Sequence, residues 1–426
     1  MTHYDLLGIG IGPFNLSLAA LLKKAHGLKS LFLDQKPGFK WYPELMFNDA
    51  VMQTSYMKDL VTPVDPTSPY SYLNYLVQKG LFYAFLNTNR KAITRIEFDQ
   101  YCSWVSQQLE ESLHFNSPVR EVSFNKDHFL IKTDNESFSA SNLSIATGLK
   151  NRIPSCAEKF LGKNVFHAMS GQLNDLDLRE KQVLIIGGGQ TGVEVFRNAI
   201  KGKWGRVKSL KLISRRKNLE PLDESPFTND FFSPSYVNQF FDLDQKTKDS
   251  IVKSQKLASD GNTPDYLEKL YNDIYQIKYV MNDPLDFQIL PCRNFAALEV
   301  HEGAYMANIQ NLFTKEEENH KADIIILSTG FINSVPAILN PILPQLSFDN
   351  EGRFMINKNF DLIWKGPQTN KIYALNFGRH NHGISEPQTS LMAWRSATIV
   401  NDLTGNEIYN TSNSVPSFVQ YRNNEK

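Results

Sequence analysis

Two glycine-dense turns carry the residues of this chain whose types and spacing suggest chemistry. The first is Gly8-Ile9-Gly10-Ile11-Gly12-Pro13, directly behind Tyr4-Asp5-Leu6-Leu7. The second is Gly187-Gly188-Gly189-Gln190-Thr191-Gly192, directly behind Val183-Leu184-Ile185-Ile186. Without a Cβ the backbone can come close to a pyrophosphate. A helix that starts at the turn then points its free N–H groups at the charge. Each segment reads as a strand, a tight turn and a helix, which is dinucleotide-binding chemistry. Two such turns imply two dinucleotides, and the natural pair is FAD taking electrons from a nicotinamide.

The residues beyond each turn distinguish the two sites. In the first, Asp34 ends the strand Ser30-Leu31-Phe32-Leu33, about 20 residues past the turn, where a carboxylate can accept adenosine ribose hydroxyls. Pro13 replaces the third glycine of the fingerprint and suits a loop that turns away early. In the second, the strand Leu210-Lys211-Leu212-Ile213 runs into Ser214-Arg215-Arg216-Lys217. An NAD site would place a carboxylate there. A hydroxyl and three cations suit a 2′-phosphate, because guanidinium pairs bidentately with phosphate, so NADPH is expected. Two further strands end in Thr147-Gly148 and Thr329-Gly330. Such ends let the chain leave a sheet beside bound cofactor, so Thr329 and Gly330 join the candidate cofactor residues.

These residues need an α/β architecture. The pattern predicts strands near 4–9, 30–33, 143–148, 183–186, 210–213 and 323–331, with a helix through Leu16–Leu22. A polar helix is expected over Gln245–Lys256. A break follows at Asp260-Gly261-Asn262-Thr263-Pro264, then a second helix from Asp265. The resulting reading is two Rossmann-like domains with a small helical insertion. The FAD domain takes residues 1–165 and 322–426. The NADPH domain takes 166–225 and 281–321, and the helical substrate region takes 226–280. The polar tail from about Thr411 is expected to fray.

Bulk composition excludes several classes. Lys plus Arg and Asp plus Glu both number 45, so the formal net charge is zero. This argues against nucleic acid or an anionic membrane as partner. No apolar stretch approaches the roughly 18 residues of a membrane span. The chain opens almost at once on a strand rather than a signal peptide, so a cytoplasmic protein is expected. Cys102, Cys156 and Cys292 are far apart, which leaves no zinc spacing and no redox pair. No metal is expected.

Longer segments carry a resemblance. Gly8 to Leu16, with Phe14-Asn15-Leu16 after the turn, is similar to the bacterial N-hydroxylases of siderophore biosynthesis. So are Met52-Gln53-Thr54-Ser55-Tyr56-Met57-Lys58-Asp59-Leu60, Asp65 to Leu76, and Asp223-Glu224-Ser225-Pro226-Phe227. His382-Gly383-Ile384-Ser385 and Ser390 to Ser396 complete the match, which runs nearly end to end. The likeness is greatest to lysine N6-hydroxylases. It implies FAD, NADPH and O2 as reactants and a primary amine hydroxylated on nitrogen. By that likeness the flavin would accept hydride and activate O2, and the amine would receive one oxygen atom. The protein's task is then to exclude water and to position the reactants. The resemblance also implies a homo-oligomer. It puts Gln53 beside the flavin ring as the catalytic-site residue, with Trp41 and Pro43 shaping the pocket. By the same likeness Lys58 holds a substrate carboxylate, Asn229 binds the amino-acid end and Ser390 lies near the amine.

The attacking amine must be neutral. Lysine's amine has a pKa near 10.4, so on the order of 1% or less is neutral at about pH 8. Burial without a carboxylate partner would lower that pKa. No acid beside the reacting nitrogen is therefore expected, and no obligatory His or Cys. L-Lysine is the leading substrate because Lys58 suits a carboxylate. Cadaverine, putrescine and histamine lack one. L-Ornithine is less favoured because Leu257-Ala258-Ser259-Asp260-Gly261 lacks the asparagine-rich stretch of that branch. Ketone- and sulfide-oxygenating relatives are disfavoured, because Phe160 to His167 is one residue too long for their signature. A flavoprotein that oxidises NADPH or binds it without hydroxylating anything is the alternative from another class.

Overall fold

The computed structural model describes residues 2–412 and 418–421. Of the tail expected to fray, residues 413–417 and 422–426 lie outside the described residues.

The first glycine turn follows the strand His3–Ile9 at the centre of a seven-stranded sheet. This strand pairs in parallel with Ser30–Leu33 on one side and Ser137–Ile145 on the other. Leu6, Leu7, Leu31, Phe32, Leu143 and Ile145 are all buried, as expected where a parallel sheet is covered on both faces. Ile372–Ala374 adds in parallel beside the end of Ser137–Ile145. The antiparallel strands Val119–Asn125 and His128–Thr133 complete that edge. The helix Pro13–Leu22 buries nine of its ten residues and packs on the helix Met392–Thr404. It is buried all round, the pattern of a helix inside a core rather than on a surface.

The second unit is a five-stranded parallel sheet in the order Asp286–Leu290, Ser209–Ile213, Gln182–Ile186, Ile324–Leu327, Val165–His167. An antiparallel sheet of Arg293–His301, Ala304–Asn311 and Glu317–Ala322 shares an apolar core with it. This corrects the expected boundaries at both ends. Ile324–Leu327 belongs to the second sheet, not to the flavin unit, so the chain returns to the first unit only after it. Its Ile-Ile-Ile-Leu run is buried throughout, which suits a strand flanked on both sides in a covered parallel sheet. Val165 likewise begins a strand of the second sheet.

Between the units lie the helices Pro234–Phe241, Gln245–Ser254, Lys256–Asp260 and Pro264–Tyr275. Tyr266 and Leu270 of the last enter the second unit's core. The first two pack against Arg379–His382 of the first unit. The helical region therefore touches both sheets.

Candidate active site

The first turn opens onto a cleft of about 780 Å³. Its shape comes from what glycine permits. Gly10 has φ +90°, and a Cβ there would lie 2.4 Å from the Ala146 carbonyl oxygen. At Gly12 nothing lies within 4 Å of where a Cβ would stand, so the space outside the turn is open. Pro13 is at the first helical position, where its missing N–H costs nothing. No side chain caps this helix. Its free N–H groups and open space form a cradle suited to a pyrophosphate. Gly8 has a different role from the expected cofactor contact. It lies within the strand, and a Cβ would strike the Phe32 ring at 2.0 Å.

Asp34 lies on the cleft wall and is nearly buried. Its Oδ2 accepts from the Ile11 N–H at 2.7 Å and its Oδ1 from the Lys36 N–H at 2.8 Å. The carboxylate thus clips the glycine turn and still borders the cleft. Trp41 and Gln53 line the same space. The Trp41 ring packs edge-on to Phe98 at 4.9 Å. The Gln53 amide makes only long contacts, to the Gly261 carbonyl at 3.5 Å and the Thr263 hydroxyl at 3.4 Å. Among the described residues lining the cleft, Asp34 is the one carboxylate, and no His or Cys is present.

The second turn is tighter. Gly187 has φ +126°, and its Cβ would lie 2.1 Å from the Ser328 carbonyl oxygen. A Cβ on Gly192 would lie 1.8 Å from the Gly187 carbonyl oxygen. The helix Gln190–Ile200 begins at Gly189 without a capping side chain, and above Gly189 the nearest atom is Arg216 Nη2 at 3.8 Å. Arg216 therefore stands over the turn. Its Nη2 donates to the Asp260 carbonyl at 2.7 Å, while Nη1 is buried without a partner. Arg215 is exposed, and no ion pair forms to it among the described residues. Thr191, at the start of this helix, lines the first cleft. The two nucleotide cradles therefore adjoin.

Three expected cofactor residues are placed differently. Ser214 is buried, its hydroxyl directed at the Arg216 N–H, and a Cβ on Gly188 would lie 2.4 Å from it. It packs against the turn. Thr329 donates its hydroxyl to the Arg152 carbonyl, and the Gly330 carbonyl accepts from the Arg152 N–H. These two residues tie the crossover segments together.

Sequence reasoning missed what joins the units. Asn262 is fully buried, and its Nδ2 donates to the carbonyls of Gly188 and Glu220, each at 3.1 Å. Gln190, expected at the cofactor, accepts from the Thr263 N–H at 2.8 Å and donates to Glu194 at 2.8 Å. Arg379 of the first unit donates from Nη2 to the Ser259 hydroxyl at 2.8 Å, so segment 259–263 is held by both units. The chain-break signal at Asp260 to Pro264 was legible, but its partners lie about 70 residues away.

Lys58 lies outside the large cleft, against a small adjoining space. Met52 and Thr54 line both. Burial lowers the Lys58 ammonium from its ordinary pKa, and no ion pair to it forms among the described residues. Asp59 next to it is occupied by the N–H groups of Val61, Thr62 and Tyr72. Asn229 is exposed on the 3₁₀ turn Thr228–Phe232, and its Nδ2 donates to the Glu224 carbonyl at 3.1 Å. Ser390 is buried with its hydroxyl unpartnered, directly after the cleft-lining Gln388 and Thr389.

A family model described as L-lysine 6-monooxygenase/L-ornithine 5-monooxygenase matches residues 2–333. The L-lysine N6-monooxygenase of Escherichia coli is 36% identical over 420 residues, 98% of each chain. The putrescine N-hydroxylase of Shewanella oneidensis is 30% identical over 414 residues, covering 95% of this chain and 81% of that protein. Among solved structures, the FAD-bound cadaverine monooxygenase of desferrioxamine biosynthesis from Erwinia amylovora matches with a TM-score of 0.91 and 28% identity, over 100% of both chains. With two adjoining nucleotide cradles and a likeness that spans the whole chain, this protein belongs to the L-lysine 6-monooxygenase/L-ornithine 5-monooxygenase family.

Proposed function

We propose that this chain is a FAD- and NADPH-dependent monooxygenase that hydroxylates a primary amine on nitrogen, with L-lysine as substrate and N6-hydroxylysine as product, in siderophore biosynthesis. Bound flavin supplies hydride acceptance and the activation of O2. The chain's residues bind, orient and keep water out. The backbone from Gly10 to Pro13 receives the FAD pyrophosphate, and Asp34 is placed for the ribose. Gly187 to Gly192 receives the nicotinamide nucleotide, with Arg215 and Arg216 for its 2′-phosphate. Thr191 brings the second cradle against the first, the arrangement that hydride transfer requires.

The observation that carries the substrate choice is Lys58, a half-buried cation with no ion pair among the described residues, in the space that shares Met52 and Thr54 with the cleft and whose one carboxylate, Asp59, is taken up by backbone N–H groups. An amino-acid carboxylate would supply the missing anion, leaving the far amine directed at the cleft. The wall there offers no free carboxylate, since the backbone already engages Asp34. An amine desolvated beside it loses its proton more readily than in water. Asn229 and Ser390 are the further substrate residues in this reading. Homo-oligomerisation and a cytoplasmic site belong to the same reading through family likeness.

A second reading keeps the chemistry and changes the amine to a diamine, as in the named relatives that act on putrescine and cadaverine. A panel of lysine, ornithine, cadaverine, putrescine and histamine, scored for hydroxylamine with FAD and NADPH, separates them. Lysine is expected to give product. Cadaverine hydroxylated in its place would overturn the substrate choice. NADPH consumed to peroxide with every amine, and no hydroxylamine, would overturn the monooxygenase.

A further inference from the structure

The cleft wall contains a polar group that the reaction so far leaves unused. Asn376 follows the strand Ile372–Ala374 and lines the cleft. It has φ +71°, the left-handed region, which Asn enters more easily than most residues. Its carboxamide oxygen is buried without a donor. A buried acceptor left unmet is costly, so such a group commonly awaits a ligand.

What keeps Asn376 in this conformation is a buried ion pair behind it. Its N–H donates to Glu386 Oε1 at 2.7 Å. The same oxygen accepts from Arg395 Nη1 at 2.9 Å, and the Glu386 carbonyl accepts from that nitrogen at 2.5 Å. The side chains of Glu386 and Arg395 are 1% and 3% exposed, so neither charge is there for solubility. The Arg395 guanidinium stacks on the Phe14 ring, 4.2 Å from its centre, and Phe14 lines the cleft beside the glycine turn. One charged pair therefore supports two cleft-lining residues, Asn376 and Phe14.

We propose that Asn376 is a hydrogen-bond acceptor for bound FAD, and that Glu386, fixed by Arg395, is the positioning residue that holds it in the left-handed conformation. The partners of matching chemistry are the flavin's own donors, its ring N3–H and ribityl hydroxyls. This inference rests on the FAD reading above and adds a ligand and its support on the cleft wall.

The test titrates the full-length apoprotein with FAD, following flavin fluorescence and the shape of the visible absorption band. Asn376→Gly removes the carboxamide while suiting the positive φ, so the backbone is not strained. It should weaken FAD about three- to tenfold, the worth of one net hydrogen bond, and alter the visible band. Glu386→Gln should weaken FAD in the native background but by less than about twofold more on top of Asn376→Gly, because it acts through Asn376. A purely structural role would make the two losses add. Native affinity and an unchanged band in Asn376→Gly overturn the proposal, and so does full additivity. Should Glu386→Gln fail to fold, Asn376→Gly decides alone. Failure of the unaltered chain to bind FAD sinks the parent reading instead.

Discussion

Arg95 and Glu194 are joined by two parallel hydrogen bonds of 2.7 and 2.8 Å across the boundary between the dinucleotide units. Arg95 begins the helix Arg95–Gln108 of the first unit and borders the flavin cleft. Glu194 lies on the helix Gln190–Ile200 of the second, with no exposure. A buried carboxylate deprived of its cation is a large penalty. Arg95→Ala should cost about 3–5 kcal/mol of stability, read from the urea midpoint. The paired change Arg95→Met with Glu194→Met should recover most of it. A double variant as unstable as the single would refute the buried-charge explanation.

Arg215 is exposed, whereas Arg216 is tied to the Asp260 carbonyl over the turn. Arg215 is thus the guanidinium free to meet a 2′-phosphate. Arg215→Ala should raise KM for NADPH about tenfold or more and leave NADH within about twofold. Steady-state rates with both nucleotides check this, and equal effects would remove the assignment.

Lys58 gives a pH-dependent prediction. Burial lowers its ammonium from the ordinary lysine value. The group binds a carboxylate only while protonated, so this contact is present below the lowered pKa and lost as pH rises through it. The ratio of KM for lysine to KM for cadaverine should climb with pH in the native enzyme. Lys58→Met should raise KM for lysine about tenfold to hundredfold and flatten that climb. An unchanged lysine KM would show that the carboxylate is held elsewhere.

Acid sensitivity should come in part from His382. It is buried, its ring stacks on Phe360 at 4.3 Å, and burial pushes its pKa down to about 3. In the unfolded chain it takes a proton near 6.5. Between those values the unfolded state binds the extra proton, so stability is complete above about pH 6.5 and falls as pH drops. This group contributes about 1.4 kcal/mol per pH unit across that window. His167 and His380, also lowered by burial, act in the same direction. His382→Phe keeps the ring and removes the titration, so its urea midpoint should fall less steeply with acid. Identical slopes would exclude His382 as a source.

The parts legible in the sequence were those set by local rules. The strands near 4–9, 30–33, 183–186 and 210–213 were visible as apolar runs ending in glycine or a polar residue, and each forms. The helix from Pro264 was visible from its apolar spacing. Gly10, Gly187 and Gly192 were legible because their need for positive φ or close backbone approach belongs to the turn itself. Ser214, Thr329 and Gly330 were less legible, because a residue just past a strand can turn inward or outward, and only packing decides which. Ile324–Leu327 was read as a strand, but its sheet was not, since an apolar run does not name its neighbours.

The amino-acid order alone determined two glycine-rich nucleotide cradles and membership of an amine-hydroxylating lineage. Each is encoded within a few tens of residues, or in motifs long enough to stand by themselves. Only the folded chain decided that Thr191 borders the first cleft, that Asn262 closes on Gly188, and that Arg95 meets Glu194. These contacts join residues far apart along the chain. Their pairing is fixed by burial and by the need to satisfy every polar group taken from water, conditions that exist only once both sheets are packed.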